Sequence, residues 1–105
     1  MQFCLIARDG KDAEALNRRM AARQAHIALS DEAVARGEQI IGVALLDEGG
    51  AMNGSVMIVD FPSRQALDEW LASEPYMKAG VWQEIEVLPC RVGPSFAHCI
   101  KTVAA

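Results

Sequence analysis

The sequence is short of the residues that usually advertise metal, nucleic-acid or export chemistry. It has three cysteines, Cys4, Cys90 and Cys99, an odd number without CxxC or CxxH spacing. That pattern argues against a zinc site and a disulfide framework, and reduced, buried thiols are expected instead. No lysine- or arginine-rich run is interleaved with aromatics and the formal net charge is -4, so no nucleic-acid partner is expected. The first residues, MQFCLIARDG, lack a basic segment and carry too short an apolar run for a signal peptide. No stretch approaches the roughly 20 apolar residues of a membrane span. A cytoplasmic protein without a membrane partner is the expectation. Proline is sparse, with four in the chain, and none lies between Lys11 and Arg36.

What is present suits a packed domain. Hydrophobic residues make up 51% of the 105 and charged residues 23%, enough for a core and unlike a disordered chain. One domain over residues 1–105 is expected, with a core at about 2–92 and an extension at 93–105. A domain this small leaves much surface uncovered, and pairing with a second copy is a natural way to cover an apolar sheet face.

Gln2–Arg8 reads as a strand ending at the turn signal Asp9-Gly10. Lys11–Arg36 is rich in alanine, leucine and arginine and predicts a helix closed by Gly37, with a break expected near Met20–Arg23 because of its length. QIIGVALL is nearly continuous in apolar character and predicts a strand buried on both faces. DEGGAMN is a loop, and GSVMIVDF a second strand that completes a hairpin. In the next helix Ser63 is the expected N-cap. Ala66, Leu67, Trp70 and Leu71 share one face, and Pro75 ends the helix. WQEIEVLPCRV supplies a last core strand, and SFAHCIKTV an additional strand directed towards a partner subunit. The order β-α-β-β-α-β predicts an α+β, ferredoxin-like fold, an antiparallel sheet with both helices on one face.

Functional candidates begin on the first helix. At 100° per residue, Ala33 and Gly37 fall about 20° either side of His26, flanked by Leu29 and Val34. His26 therefore lies on the inward stripe. Two readings stay open: a core histidine bonded to backbone or water, and a general acid or base tuned by a carboxylate. Arg23 sits one turn earlier, about 60° around the helix, within reach of the same region. Glu74, beside Pro75 at a helix end, is the carboxylate candidate. Ser55, next to Gly54 at the start of a strand, is a candidate hydrogen-bond donor to a ligand. Tyr76 and Trp82 are expected in a cleft wall or in dimer packing.

RQAHIALSDEAVARGEQIIG, followed by NGSVMIVDFPSRQALDEWLASEPYMKAGVWQEIEVLPC, resembles the YCII-related (YciI-like) family of small bacterial proteins over residues 2–92. The resemblance implies a dimeric α+β barrel and a pocket holding a histidine–aspartate pair. His26 matches the histidine, and Glu74 stands where the family has aspartate, longer by one methylene. With Arg23, Ser55 and Tyr76 as substrate-binding residues, the implied activity is general acid/base chemistry on a small molecule, of isomerase or lyase type. No metal or organic cofactor is expected. The alternative is a non-catalytic metabolite-binding or accessory dimer.

Overall fold

The computed structural model describes residues 1–100. Its elements run β1 (Gln2–Asp9), α1 (Ala15–Ala35), β2 (Gln39–Leu46), β3 (Met52–Asp60), α2 (Arg64–Ser73), α3 (Pro75–Lys78) and β4 (Trp82–Cys90), followed by a 3₁₀ helix at Pro94–Cys99. The strands form one antiparallel sheet in the order β2-β3-β1-β4, which is the expected ferredoxin-like arrangement. Alternation along β1 sets its covered face: Phe3, Leu5, Ala7 and Asp9 are buried, and the residues between them are more exposed. Phe3, Leu5, Met57 and Val59 of the sheet pack with Leu67, Trp70, Leu71, Tyr76 and Ala33 from the helices. Fully burying a side chain such as Leu5 or Val59 contributes about 1.5–3 kcal/mol.

The first helix differs from expectation at its start and in its middle. It begins at Ala15 and not Lys11, because Asp12 closes a turn that accepts the Ala15 N–H at 3.1 Å and binds the Arg18 guanidinium at 2.7 and 3.2 Å. It then runs unbroken for 21 residues. No glycine or proline interrupts its hydrogen-bond ladder, so nothing forces the expected break. The end is a Schellman motif: Gly37, at φ 77°, returns its N–H to Val34 O and Glu38 returns its own to Ala33 O. Ala33 is buried as the helical wheel requires, whereas Val34 is exposed. In α2, Ser63 Oγ accepts the Ala66 N–H at 3.1 Å, the expected cap.

Three further expectations are corrected. QIIGVALL is an edge strand, not one buried on both faces; Ile41, Val43 and Leu46 are each more than half exposed. Continuous apolar character therefore marks an uncovered surface here. Cys90 and Cys99 are exposed and Cys4 is half-buried, so the three free thiols are not core residues. Pro94–Cys99 forms a 3₁₀ helix where a strand was expected, consistent with Pro94, which has no N–H for a ladder. Of that expected strand, residues 101–103 lie outside the described residues. Cys4, Ile41, Ile58, Cys90, Phe96 and Cys99 border an apolar hollow of about 430 Å³ beside this segment. Among the described residues no helix is long and apolar enough to cross a membrane.

Candidate functional site

The site is assembled where the middle of α1 meets the α2–α3 junction. Glu74 precedes proline and is held extended, at φ -69° and ψ 124°, which ends α2. The same residue begins α3: Pro75 takes the first helical position, and Glu74 Oε1 accepts the Tyr76 N–H at 3.0 Å as the helix cap. This double duty fixes the carboxylate against the backbone. Its side chain has 0% exposure, and His26 Nδ1 lies 2.8 Å from Oε1 with the imidazole 15% exposed.

The hydrogen-bond arithmetic assigns the proton. Oε1 already accepts from the Tyr76 amide, so it acts as an acceptor towards the imidazole as well, and Nδ1 carries the hydrogen. In the neutral ring the lone pair is then on Nε2, which has no hydrogen-bond partner among the described residues. Glu74 Oε2 is buried and unbonded, which leaves this carboxylate only one side-chain contact through which to express its charge.

Aromatic rings hold the imidazole on its other sides. Tyr76 stacks on it with centroids 3.9 Å apart and planes 9° from parallel, and Trp82 meets it edge-on at 5.9 Å. Burial pushes the Tyr76 phenol above its usual range, and nearby Arg19 and Arg23 oppose that rise. The phenol is therefore a neutral donor at physiological pH.

A second polar group supports the floor. Arg19, 3% exposed, spans Asp9 with Nη1 at 3.0 and 3.1 Å from the two carboxylate oxygens, donates from Nη2 to Ser55 Oγ at 3.0 Å, and stands 4.8 Å from the Tyr76 ring centre. Trp82 Nε1 also donates to Ser55 Oγ, at 3.2 Å. With two donors on its oxygen, the Ser55 hydroxyl keeps its own proton to donate. Removing one partner of a buried pair such as Arg19–Asp9 costs about 3–5 kcal/mol.

These groups border a pocket of about 230 Å³. Of the residues singled out in the sequence, Arg23, His26, Ser55 and Tyr76 all line it, and Glu74 stands behind His26. Ser55 lies inside β3 and not at its start. Arg23 is exposed at the rim and makes no ion pair among the described residues. Sequence reasoning missed Arg19 and Asp9. The signal was present: Arg19, Arg23 and His26 share one helical stripe, and Asp9 has the inward parity of Phe3, Leu5 and Ala7. Among the described residues no group of three or more His, Cys, Asp or Glu is arranged to hold a metal ion.

The YCII-related domain model matches residues 1–91. Protein YciI of Escherichia coli is 33% identical over 95 residues, covering 85% of this chain and 95% of the relative. An uncharacterised protein of Haemophilus influenzae is 30% identical over the same coverage. Among solved structures, the 5-chloro-2-hydroxyhydroquinone dehydrochlorinase of Burkholderia phenoliruptrix, in complex with 2,5-dihydroxybenzoquinone, superposes with a TM-score of 0.79 at 23% identity, covering 90% of this chain and 98% of that one. A Mycobacterium tuberculosis protein superposes at 0.55 with 20% identity, covering 90% of this chain and 99% of that one. Those structures share the fold, and the family match spans nearly the whole described chain. This chain belongs to the YCII-related family.

Proposed function

We propose that the chain is a small-molecule enzyme of general acid/base type, removing a proton beside a carbonyl in an isomerisation or an elimination. The observation that carries this reading is the 2.8 Å bond between His26 Nδ1 and the fully buried Glu74. It leaves Nε2 free to take a proton and places a carboxylate where it stabilises the imidazolium that results. Arg23, the Tyr76 phenol and the Ser55 hydroxyl are donors for the negative charge that develops on the substrate oxygen. Elimination is supported by likeness to a dehydrochlorinase of the same fold, bound to a small oxygenated ring. The scheme uses only side chains of this protein and calls for no metal or organic cofactor.

Two further expectations belong to this reading. Residues 1–105 act as one domain in a homodimer, and the apolar side chains Ile41, Val43, Leu46 and Leu88, exposed on a lone copy, support pairing. A cytoplasmic location suits the three free thiols.

A thermal-shift panel of small anions and carbonyl compounds finds ligands, and NMR then follows whether each is altered. His26→Ala should lower turnover by about 10²–10⁴-fold. Glu74→Gln should bind the same ligand and turn it over more slowly. Ligands that stabilise the protein and are never altered would instead establish a binding protein.

A further inference from the structure

Among the polar side chains that line the pocket, the acid/base scheme uses neither Ser30 nor Gln39, and Gln39 is the one with a buried, unpartnered atom. Gln39, at the start of β2, is 7% exposed and lines the pocket, yet its Oε1 is buried without a hydrogen-bond partner. Its Nε2 has none either among the described residues. A native protein rarely leaves a buried amide unpaired, because desolvation is not repaid.

The backbone is built to put it there. Gln39 pairs with Val59 and Ile41 with Ile58, so one extra residue is inserted in β2, a β-bulge at Ile40. In a regular strand residues 39 and 42 would point to opposite faces. The bulge brings them to the same one: Gln39 lies opposite buried Val59, and Gly42 opposite buried Met57. A Cβ at position 42 would stand 2.8 Å from Gln39 Nε2, so glycine is what leaves room for the amide. Bulge, glycine and unpaired amide together make a seat on the pocket wall.

We infer that Gln39 binds the ligand, and that the ligand is a single-ring organic anion bearing a hydroxyl group. A hydroxyl both donates and accepts, so it satisfies the amide in either orientation. The anion is assigned from Arg23, a cation at the rim with no ion pair among the described residues; Arg19 is already neutralised by Asp9. Ile27, Met52 and Met57 supply apolar wall for a flat body. The volume, about 230 Å³, is below the roughly 300–1,000 Å³ that hold drug-sized ligands, which limits the occupant to about one ring.

The inference rests on reading this pocket as the ligand site and makes no use of turnover. Benzoate and the three monohydroxybenzoates are titrated into the protein by NMR. At least one hydroxybenzoate should bind more tightly than benzoate, by about fivefold to a hundredfold. In Gln39→Leu that advantage should vanish while benzoate affinity changes less than about twofold. Gly42→Ala, which displaces the amide and retains the glutamine, should remove the advantage too. Binding is read without turnover, so the advantage is scored whether or not any ligand is altered, which separates failure of the acid/base reading from failure of this one. Absence of binding by all four acids in the wild type overturns the ligand class. An advantage that survives both Gln39→Leu and Gly42→Ala, in folded protein by circular dichroism, overturns the role of Gln39.

Discussion

At the scale of single residues, the site depends on groups whose polar atoms are already committed. Glu74 Oε1 serves a backbone amide and an imidazole, and Ser55 Oγ accepts from Arg19 and Trp82. What is left over, Nε2 of His26 and the hydroxyl proton of Ser55, is the chemistry available to a ligand. Tyr76 provides a direct check, because it is the only tyrosine in the chain. Its phenol is raised chiefly by burial, so absorbance of the phenolate near 295 nm should titrate above the ordinary value of about 10 in the folded protein and return to it in denaturant. The sign for stability follows. The raised value is a preference for the protonated form, so its contribution is fully present below pH about 10 and is lost as pH climbs through the folded value. Thermal melts should fall across that window. Tyr76→Phe should flatten this loss, and an unchanged slope would count against the buried phenol as its source.

At the scale of elements, propensity and period were good guides wherever one element was enough to decide. The capped second helix is an instance. Ser63 is extended at φ -156° and holds the Ala66 amide, so Ser63→Ala should cost about 0.5–2 kcal/mol, and each 1 kcal/mol lowers the melting temperature by about 4–8 °C, measurable by calorimetry. His26 was legible on the inward stripe of α1 for the same reason. Its partner was not: Glu74 is 48 residues away, and only the family resemblance singled it out. Arg19 and Asp9 escaped because a charged residue is read by default as solvated, and what overrules that default is their pairing between β1 and α1. Gln39 escaped because alternation is counted in twos, and a bulge shifts the count by one with no mark in the letters. The edge position of β2 was illegible on similar grounds, since an apolar run fits a covered strand and an uncovered one equally.

At the scale of the molecule, the sheet is covered by helices on one face only, and the apolar residues left exposed on β2 and β4 set the expected behaviour in solution. Val43 and Leu88 are 51% and 45% exposed, more apolar edge than a monomer of this size usually displays. The protein should sediment as a dimer. Leu88→Glu should shift it towards monomer without loss of helical signal, because Leu88 belongs to the strand face and not to the core. A wild-type protein that remains monomeric at high concentration in analytical ultracentrifugation would rule the dimer out. Residues 1–91 carry the family match, and all the side chains of the candidate site fall within them.

The edge-on contact of Trp82 with His26, 5.9 Å between centroids, has an optical consequence. The chain has two tryptophans, and the other, Trp70, packs against Phe61 on α2. The fold thus seats a fluorophore against the one histidine of the pocket. Trp82 emission should therefore change when a ligand enters the pocket beside His26, a readout that needs no label.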